Sequence, residues 1–282
     1  MEVKRIDGHY AVKIGMKQRR DQADFHADCQ ALYDRATDIV PESHVTTLYE
    51  QAAQRIHHYV TLFDADRISV AVSGGKDASV MYSVAEWAGV TQGILVATQL
   101  EFTFFDEWVA TLPAAIEVDR VPLDIVWLKE HPRLLFPHEK RLEYQWTMNR
   151  HRGRFQPYAD ATGVKLILLG RRRDDGNNVP RTEDGYYERD TGLAFASILR
   201  DWTLVEVLAA MQYRDVWVSP IYKKPYGWFH GTCPWPLYGG MLNFTHEQAW
   251  KFIYSLDARA VIEAAPYFPG AARVVEDSHE NA

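Results

Sequence analysis

Residues 68–87 read ISVAVSGGKDASVMYSVAEW and place a short apolar run directly before two glycines, a lysine and an aspartate. The run Ile68–Val72 is rich in β-branched residues and is typical of a buried strand. The apolar residues after the glycines recur at helical spacing. The stretch therefore predicts a strand, a glycine loop and a helix in direct succession.

The loop Ser73–Asp77 has the composition of an anion-binding site. Two consecutive glycines let backbone N–H groups converge on a ligand, and the following helix N-terminus adds partial positive charge. Lys76 adds a full charge, Ser73 offers a hydroxyl, and Asp77 can cap the helix or bind Mg²⁺. These features predict a phosphate ligand; the competing interpretation is a glycine turn before a helix that carries a surface lysine.

The loop differs from two common nucleotide-binding motifs. A Walker A loop needs a glycine at position 70 and a hydroxyl residue at position 77, where this chain has Val70 and Asp77. The spacing of the glycines also does not fit the dinucleotide fingerprint G-x-G-x-x-G. The sequence therefore disfavours a P-loop kinase and a hydride-transferring dehydrogenase.

Helical and strand patterns alternate along the middle of the chain, which predicts an α/β fold with a mostly parallel, doubly wound sheet and helices on both faces. The predicted strands are 68–72, 93–98, 124–128 and 164–169, and helices are predicted at 46–63, after the glycine loop, at 104–115 and at 245–256. The loops 73–77 and 170–175 both follow carboxyl ends of predicted strands. We therefore expect them to face one crevice.

Composition divides the chain into three predicted regions. Residues 1–63 form an N-terminal helical extension, 64–215 form a nucleotide-binding core, and 216–282 form a loop-rich cap of aromatic residues and prolines. The last residues, 274–282, are polar and predict a frayed tail.

Charge and cysteine content exclude several classes of protein. The 282 residues carry a net charge of −7, which disfavours a general nucleic-acid-binding surface, although the basic patch 138–154 remains either a local ligand site or a solvated face. Two cysteines cannot ligate an iron–sulfur cluster and indicate a reducing compartment. The histidines show no metal-ligand spacing, so we expect no zinc.

With no signal sequence and no membrane-length apolar run, we expect a soluble, cytoplasmic protein.

Ser73-Gly74-Gly75-Lys76-Asp77 resembles the pyrophosphate-binding PP-loop, S-G-G-x-D-S, of the adenine nucleotide α-hydrolase superfamily. Later segments resemble, in the same order, motifs of the branch that holds phosphoadenosine phosphosulfate reductases and the small subunit of ATP sulfurylase. These segments are VATQLEFTFFDEWV (96–109), YQWTMNRHRGRFQPY (144–158), LILLGRRRDDGNNVPR (166–181) and LRDWTLVEVLAAMQYRDVWVSPIY (199–222). The resemblance spans residues 46–236.

This resemblance implies an enzyme that binds MgATP at the carboxyl edge of the sheet. The loop would hold the β- and γ-phosphates while an oxyanion of an acidic acceptor attacks the α-phosphorus and pyrophosphate leaves. Lys76, Arg172 and Arg181 would neutralise the leaving group together with Mg²⁺, which Asp77 would help to hold. The nucleotide contacts implied are Ser73, Gly74, Gly75, Lys76, Asp77, Ser79, Thr98, Gly170 and Arg172.

Departures from the family's motifs leave two other functions open. The family's loop serine is replaced by Ala78, with Ser79 next, and Thr147 stands where a cysteine is usual. The reductases attack sulfur with a cysteine near the C-terminus that this chain lacks, so a reductase would need Cys233 or a thiol-donating partner. The third possibility is a non-catalytic nucleotide-binding subunit. A GTPase-like partner subunit and a homo-oligomer also remain open.

Overall fold

The computed structural model of the protein describes residues 2–14, 21–98, 100–113, 117–123, 125–136, 139, 141–142, 153–175, 179, 185–188, 190–232 and 244–280. The strands are β1 (Val3–Ile6), β2 (His9–Val12), β3 (Ile68–Val72), β4 (Gln92–Thr98), β5 (Glu117–Leu123), β6 (Leu166–Leu169), β7 (Tyr186–Glu188) and β8 (Ala194–Ser197). The first helices are α1 (Gln22–Asp34), α2 (Ala36–Ile39), α3 (Glu42–Leu62), α4 (Lys76–Trp87), α5 (Thr103–Ala110) and α6 (Ile125–Glu130). They are followed by α7 (Gly153–Thr162), α8 (Leu204–Tyr213), α9 (Gly227–His230), α10 (His246–Leu256), α11 (Ala258–Ala264) and α12 (Pro269–Glu280).

Six strands form one sheet in the order β5-β4-β3-β6-β8-β7. Strand β3 is parallel to β4 and to β6, and β6 is parallel to β8, whereas β7 is antiparallel to β8. The buried strand β6 is apolar at all four positions, as expected for a strand covered on both faces. The predicted α/β fold with a mostly parallel sheet is confirmed.

The elements around the glycine loop match the prediction closely. Strand β3 spans Ile68–Val72 as predicted, and α4 begins at Lys76, directly after the two glycines. The helix predicted at 46–63 is α3, which begins four residues earlier at Glu42. These segments were predictable because their apolar spacing is local and unambiguous.

The prediction of a strand at 124–128 is wrong. Residues 125–130 form helix α6, and the strand lies just before it at Glu117–Leu123. A short apolar run such as IVWL fits a strand and a helix equally well. The strand before α6, β5, contains Pro122 and lies at the edge of the sheet, where proline is tolerated.

The chain termini also differ from the prediction. Residues 3–12 form a β-hairpin whose turn, Asp7-Gly8, has positive φ at both positions (50° and 88°). The polar tail 274–282 is not frayed through its described part, because α12 continues to Glu280. Ala271 and Val274 lie on its buried face, and this spacing of three residues is what holds the helix against its neighbours.

The chain forms two compact units. The first consists of 1–95, 113–119 and 156–218 and contains the glycine loop. The second consists of 96–112, 120–155 and 219–282, and its helices α10, α11 and α12 pack on one another around Trp250, which is 1% exposed. The boundaries predicted from composition, after residues 63 and 215, stay a prediction.

None of the helices in the described part of the chain combines the length and the apolar character that a membrane span requires.

Candidate functional site

The glycine loop leads from a strand directly into an uncapped helix. Gly74 has a φ of 71°, a left-handed conformation that favours glycine. Gly75 is the N-cap residue of α4, and no side chain caps this helix within the described residues. The N-terminus of a twelve-residue helix is therefore presented at the end of a buried strand, in the arrangement that binds anions.

The glycine loop lies where the order of the strands in the sheet reverses. From β3 the chain proceeds to β4 and β5 on one side, and then crosses to β6 and β8 on the other. Ligands of open α/β sheets bind at such switch points, beyond the carboxyl ends of the strands. The loops 73–77 and 170–175, which follow β3 and β6, therefore meet at the expected position.

Gly170 allows these two loops to approach each other. A Cβ at this position would lie 2.5 Å from the carbonyl oxygen of Asp77 and 3.0 Å from the amide nitrogen of Ala78. Only glycine lets the end of β6 pack so closely on the first turn of α4. The structure thus gives Gly170 a packing role, while its contact with nucleotide stays a prediction.

Arg172 is the centre of an ion-pair network that we call the Arg172 cluster, consisting of Lys76, Asp77, Arg172, Asp174 and Asp175. The side chain of Arg172 is completely buried, and its Nε lies 2.5 Å from Oδ1 of Asp77. One terminal nitrogen lies 2.6 Å from Oδ1 of Asp175, and the other lies 3.3 Å from Oδ2 of Asp174. The second of these nitrogens also donates to the carbonyl oxygen of Trp202 at 3.2 Å. Arg172 therefore holds the 170–175 loop against the start of α4.

Lys76 belongs to the same cluster. Its Nζ lies 2.6 Å from Oδ2 of Asp77 and 3.8 Å from Oδ2 of Asp175. The lysine side chain is 18% exposed, so it is partly accessible to solvent.

The carboxylates of the cluster differ in their acidity. Burial would raise the pKa of Asp77, but Arg172 and Lys76 outweigh this effect and hold the pKa far below its usual range. For Asp175, burial and the nearby charge of Asp77 raise the pKa. Burial would lower the pKa of Arg172, but Asp77 and Asp175 raise it. Three carboxylates thus face two cations, and the cluster has a surplus of negative charge.

Ser79 and Thr98 are not members of the Arg172 cluster. The side chain of Ser79 is 4% exposed, and its hydroxyl has no hydrogen-bond partner within the described residues, so its contact with a nucleotide stays a prediction. Thr98 ends β4. Arg181, Cys233, Thr147 and most of the basic patch 138–154 lie outside the described residues.

Sequence reasoning missed a second cluster, formed by His9, His44 and Glu206. Glu206 is completely buried; its Oε2 lies 2.9 Å from Nδ1 of His9 and its Oε1 lies 2.7 Å from Nε2 of His44. The backbone N–H groups of Tyr10 and Thr203 donate to the same two oxygens. The carboxylate thus joins the N-terminal hairpin, the start of α3 and the N-terminus of α8.

This second cluster has the residue types of a metal site. Its carboxylate, however, is already hydrogen-bonded to four N–H groups of the protein. Its three ligand atoms lie within 4.8 Å of one another. Each oxygen of Glu206 already accepts two N–H groups, so its lone pairs are occupied. Burial would raise the pKa of Glu206, but the hydrogen bonds from His9 and Thr203 lower it, so the carboxylate is ionised and both histidine nitrogens donate.

The hydrogen bond between His9 and Glu206 predicts a pH-dependent stability. It raises the pKa of His9 above its ordinary value of 6.5, although burial opposes the shift. A raised pKa contributes stability that is complete below the ordinary value and is lost as pH rises through the raised one. As the pH rises from 6.5 to above the raised pKa of His9, the melting temperature of the wild type should change relative to that of His9→Asn. We expect it to fall by roughly 1–3 °C more in the wild type than in the variant.

His9→Asn is suited to this comparison because the amide nitrogen of asparagine can occupy the position of Nδ1 without titrating. Thermal melts of both proteins from about pH 5.5 to about pH 8.5 measure the difference. If the melting temperatures of the two proteins changed with pH in parallel, the ionisation of His9 would not be the cause of the pH dependence.

Three solved structures have a backbone similar to part of this chain. A phosphoadenylyl-sulfate reductase from Candida auris, solved with phosphate, shares 14% identity over 65% of this chain and 92% of that one, with a TM-score of 0.48. An NMN synthetase from Francisella tularensis shares 16% identity over 68% and 79%, with a TM-score of 0.43. An FMN adenylyltransferase from Candida glabrata, solved with ATP, shares 14% identity over 68% and 64%, with a TM-score of 0.38.

No family model and no curated protein matches the chain.

Proposed function

We propose that this chain is an ATP-binding enzyme of the PP-loop type that transfers the adenylyl group of MgATP to an acidic acceptor. The observation that carries the proposal is the loop at the switch point of the sheet. There the left-handed Gly74, the uncapped N-terminus of α4 and the ammonium group of Lys76 come together. A triphosphate matches these three features, because it offers several anionic oxygens to backbone N–H groups and to a point charge.

The proposed reaction needs no nucleophile from the enzyme. An oxyanion of the acceptor attacks the α-phosphorus, the bond from that phosphorus to the bridging oxygen of the β-phosphate breaks, and pyrophosphate leaves with the bonding electron pair. The loop and Lys76 hold the β- and γ-phosphates and stabilise the charge that develops on them. The chain thus contributes mainly positioning and electrostatic stabilisation.

The Arg172 cluster is chemically suited to Mg²⁺. Asp77 and Asp175 offer carboxylate oxygens, the ligands that Mg²⁺ prefers, and the cluster has more carboxylates than cations. When bound, Mg²⁺ would neutralise phosphate charge. Asp175 is 27% exposed and has a raised pKa beside Asp77, and a nearby cation would favour its ionised form.

Arg172 is proposed here as a positioning residue. Its buried guanidinium is bonded to three carboxylates and one carbonyl, so it acts on the nucleotide through the carboxylates that it orients. The role of Arg181 as a second cation on the leaving group stays a proposal from the sequence resemblance.

Calorimetric titration of the purified protein with MgATP and, separately, with phosphoadenosine phosphosulfate tests the proposal. We expect MgATP to bind more tightly, and we expect pyrophosphate release when a cell extract supplies the acceptor. Tighter binding of the phosphosulfate would instead favour a reductase that uses Cys233 or a partner's thiol. Binding of MgATP without pyrophosphate release from any extract would favour a non-catalytic subunit.

A further inference from the structure

The N-terminal hairpin is attached to its unit through the first turn of α8. The hairpin forms its own two-stranded sheet, in which all four positions of β1 are exposed and all four positions of β2 are half-buried. Strand β2 is the one that packs on α8. Because a two-stranded hairpin has little stability of its own, its docked position depends on the contacts that it makes with this helix.

These contacts use both backbone polar groups of Tyr10. Its N–H donates to Oε1 of Glu206 at 3.0 Å, and its carbonyl oxygen accepts from the hydroxyl of Thr203. The adjacent His9 donates to Oε2 of Glu206 at 2.9 Å. Thr203 and Glu206 are also the two members of the capping box of α8. The residues that cap this helix are therefore the residues that hold the hairpin.

The Arg172 cluster is bonded to the same turn of the chain. Asp174 accepts the backbone N–H of Leu204, the first residue of α8, at 2.9 Å. Arg172 donates to the carbonyl oxygen of Trp202 at 3.2 Å and to Asp174 at 3.3 Å. Trp202 and Leu204 are the chain neighbours of Thr203. The turn 202–204 is thus bonded both to the hairpin and to the cluster.

This turn is suited to transmit a displacement. Trp202 is 3% exposed, and its ring packs on that of Tyr49 with 5.8 Å between the centroids. A buried and tightly packed segment moves with its partners, because protein interiors have low compressibility. From His9 the bonded path runs through Glu206, the turn and Arg172 to Asp77 in the glycine loop.

We propose that the N-terminal hairpin is a regulatory element of the glycine-loop site. When it is docked, the hairpin fixes the turn 202–204 and, through this turn, the Arg172 cluster. When it is released, the cluster is less ordered and must be ordered by the ligand, which weakens binding. Glu206 acts through the turn and is therefore a positioning residue. That the hairpin is coupled to the cluster does not rest on the proposed function; that this coupling sets the affinity for MgATP does.

Such a coupling acts in both directions. If the docked hairpin favours the ordered cluster, a ligand that orders the cluster must also favour the docked hairpin. Binding of MgATP should therefore slow hydrogen exchange in residues 2–14 of the wild type. A hairpin with a purely local structural role would exchange at the same rate with and without MgATP.

Hydrogen exchange of residues 2–14, followed by mass spectrometry, tests the coupling without any ligand. Asp174→Ala removes the acceptor of the Leu204 N–H and should speed exchange in this segment by about three-fold. Asp174→Asn should exchange like the wild type, since its amide oxygen can still accept this N–H. Asp160→Ala is the matched control, because Asp160 is an exposed carboxylate of the same unit that accepts from Gln156 on its own helix.

Calorimetric titration with MgATP at about pH 7 tests the regulatory role. His9→Ala removes one bond between the hairpin and Glu206, and we expect it to weaken MgATP binding by about five-fold. His9→Asn keeps a donor at this position and should bind within about two-fold of the wild type. Lys4→Ala is the control, since it removes an exposed cation of β1 that pairs with Glu2, and it should bind like the wild type.

The coupling would be refuted if Asp174→Ala left exchange in residues 2–14 unchanged. It would equally be refuted if this variant sped exchange in α10–α12 by the same factor, which would indicate a general loss of stability. Wild-type affinity in His9→Ala would refute the regulatory role.

The two proposals fail in distinguishable ways. A wild type that does not bind MgATP, with faster hairpin exchange in Asp174→Ala, would overturn the proposed function and leave the coupling standing. A wild type that binds MgATP, with unchanged hairpin exchange in Asp174→Ala, would do the reverse.

Discussion

Lys76→Ala is expected to weaken MgATP binding by about 100-fold, the largest effect on binding that we expect of a single side chain. The substitution removes the ammonium group at the start of α4, which we propose holds the β- and γ-phosphates. It also leaves Asp77 and Asp175 closer to the incoming phosphates with one fewer cation to screen them. Calorimetric titration with MgATP, repeated on the variant, measures the loss.

Lys165→Ala is the matched control for this experiment. Lys165 precedes β6 at the amino edge of the sheet and donates to the carbonyl oxygen of Asp64 at 3.0 Å. The control removes the same charge from the same unit, so it should bind MgATP like the wild type, and Lys76→Arg should retain part of the affinity. Unchanged affinity in Lys76→Ala would sink the proposed role of the loop.

Arg172→Met is expected to destabilise the protein by about 2–4 kcal/mol at about pH 7, because it removes a completely buried cation from three carboxylates that are themselves partly exposed. Asp77 and Asp175 are within 2.6 Å of this guanidinium, and Asp174 is within 3.3 Å. Urea unfolding of the wild type and the variant measures the difference. Arg171→Met is the matched control, since Arg171 adjoins Arg172 but has no ion pair within the described residues, and its effect should stay below about 0.5 kcal/mol.

The pH dependence separates a charge effect from simple loss of packing. The depressed pKa of Asp77 contributes stability that is present above its ordinary value of 3.8 and is lost as pH falls through the folded-state value. In Arg172→Met the carboxylates instead take up protons more readily, and this relieves the unpaired charge. The difference in unfolding free energy should therefore shrink as pH falls from about 7 to about 4. A difference that is constant with pH would indicate that Arg172 acts by packing alone.

Local sequence signals account for much of the fold. Ile68–Val72 and the helix after the glycines were predictable because β-branched residues, glycines and helical spacing act over a few residues. The Asp7-Gly8 turn was a signal of the same local kind, typical of a two-residue hairpin, although the prediction did not use it. The misassigned segment 124–128 shows the limit, since its four apolar residues are too few to show a period that separates a strand from a helix.

The features of the glycine loop were predictable from the sequence, because the freedom of Gly74, the charge of Lys76 and the N-terminus of α4 are properties of adjacent residues. Which charges meet depends instead on the tertiary structure. Arg172 and Asp77 are separated by 95 positions, Arg55 and Asp201 by 146, and His9 and Glu206 by 197. Such partners depend on the order of parallel strands and on burial, which makes an unpaired charge costly and so selects the pairs that form.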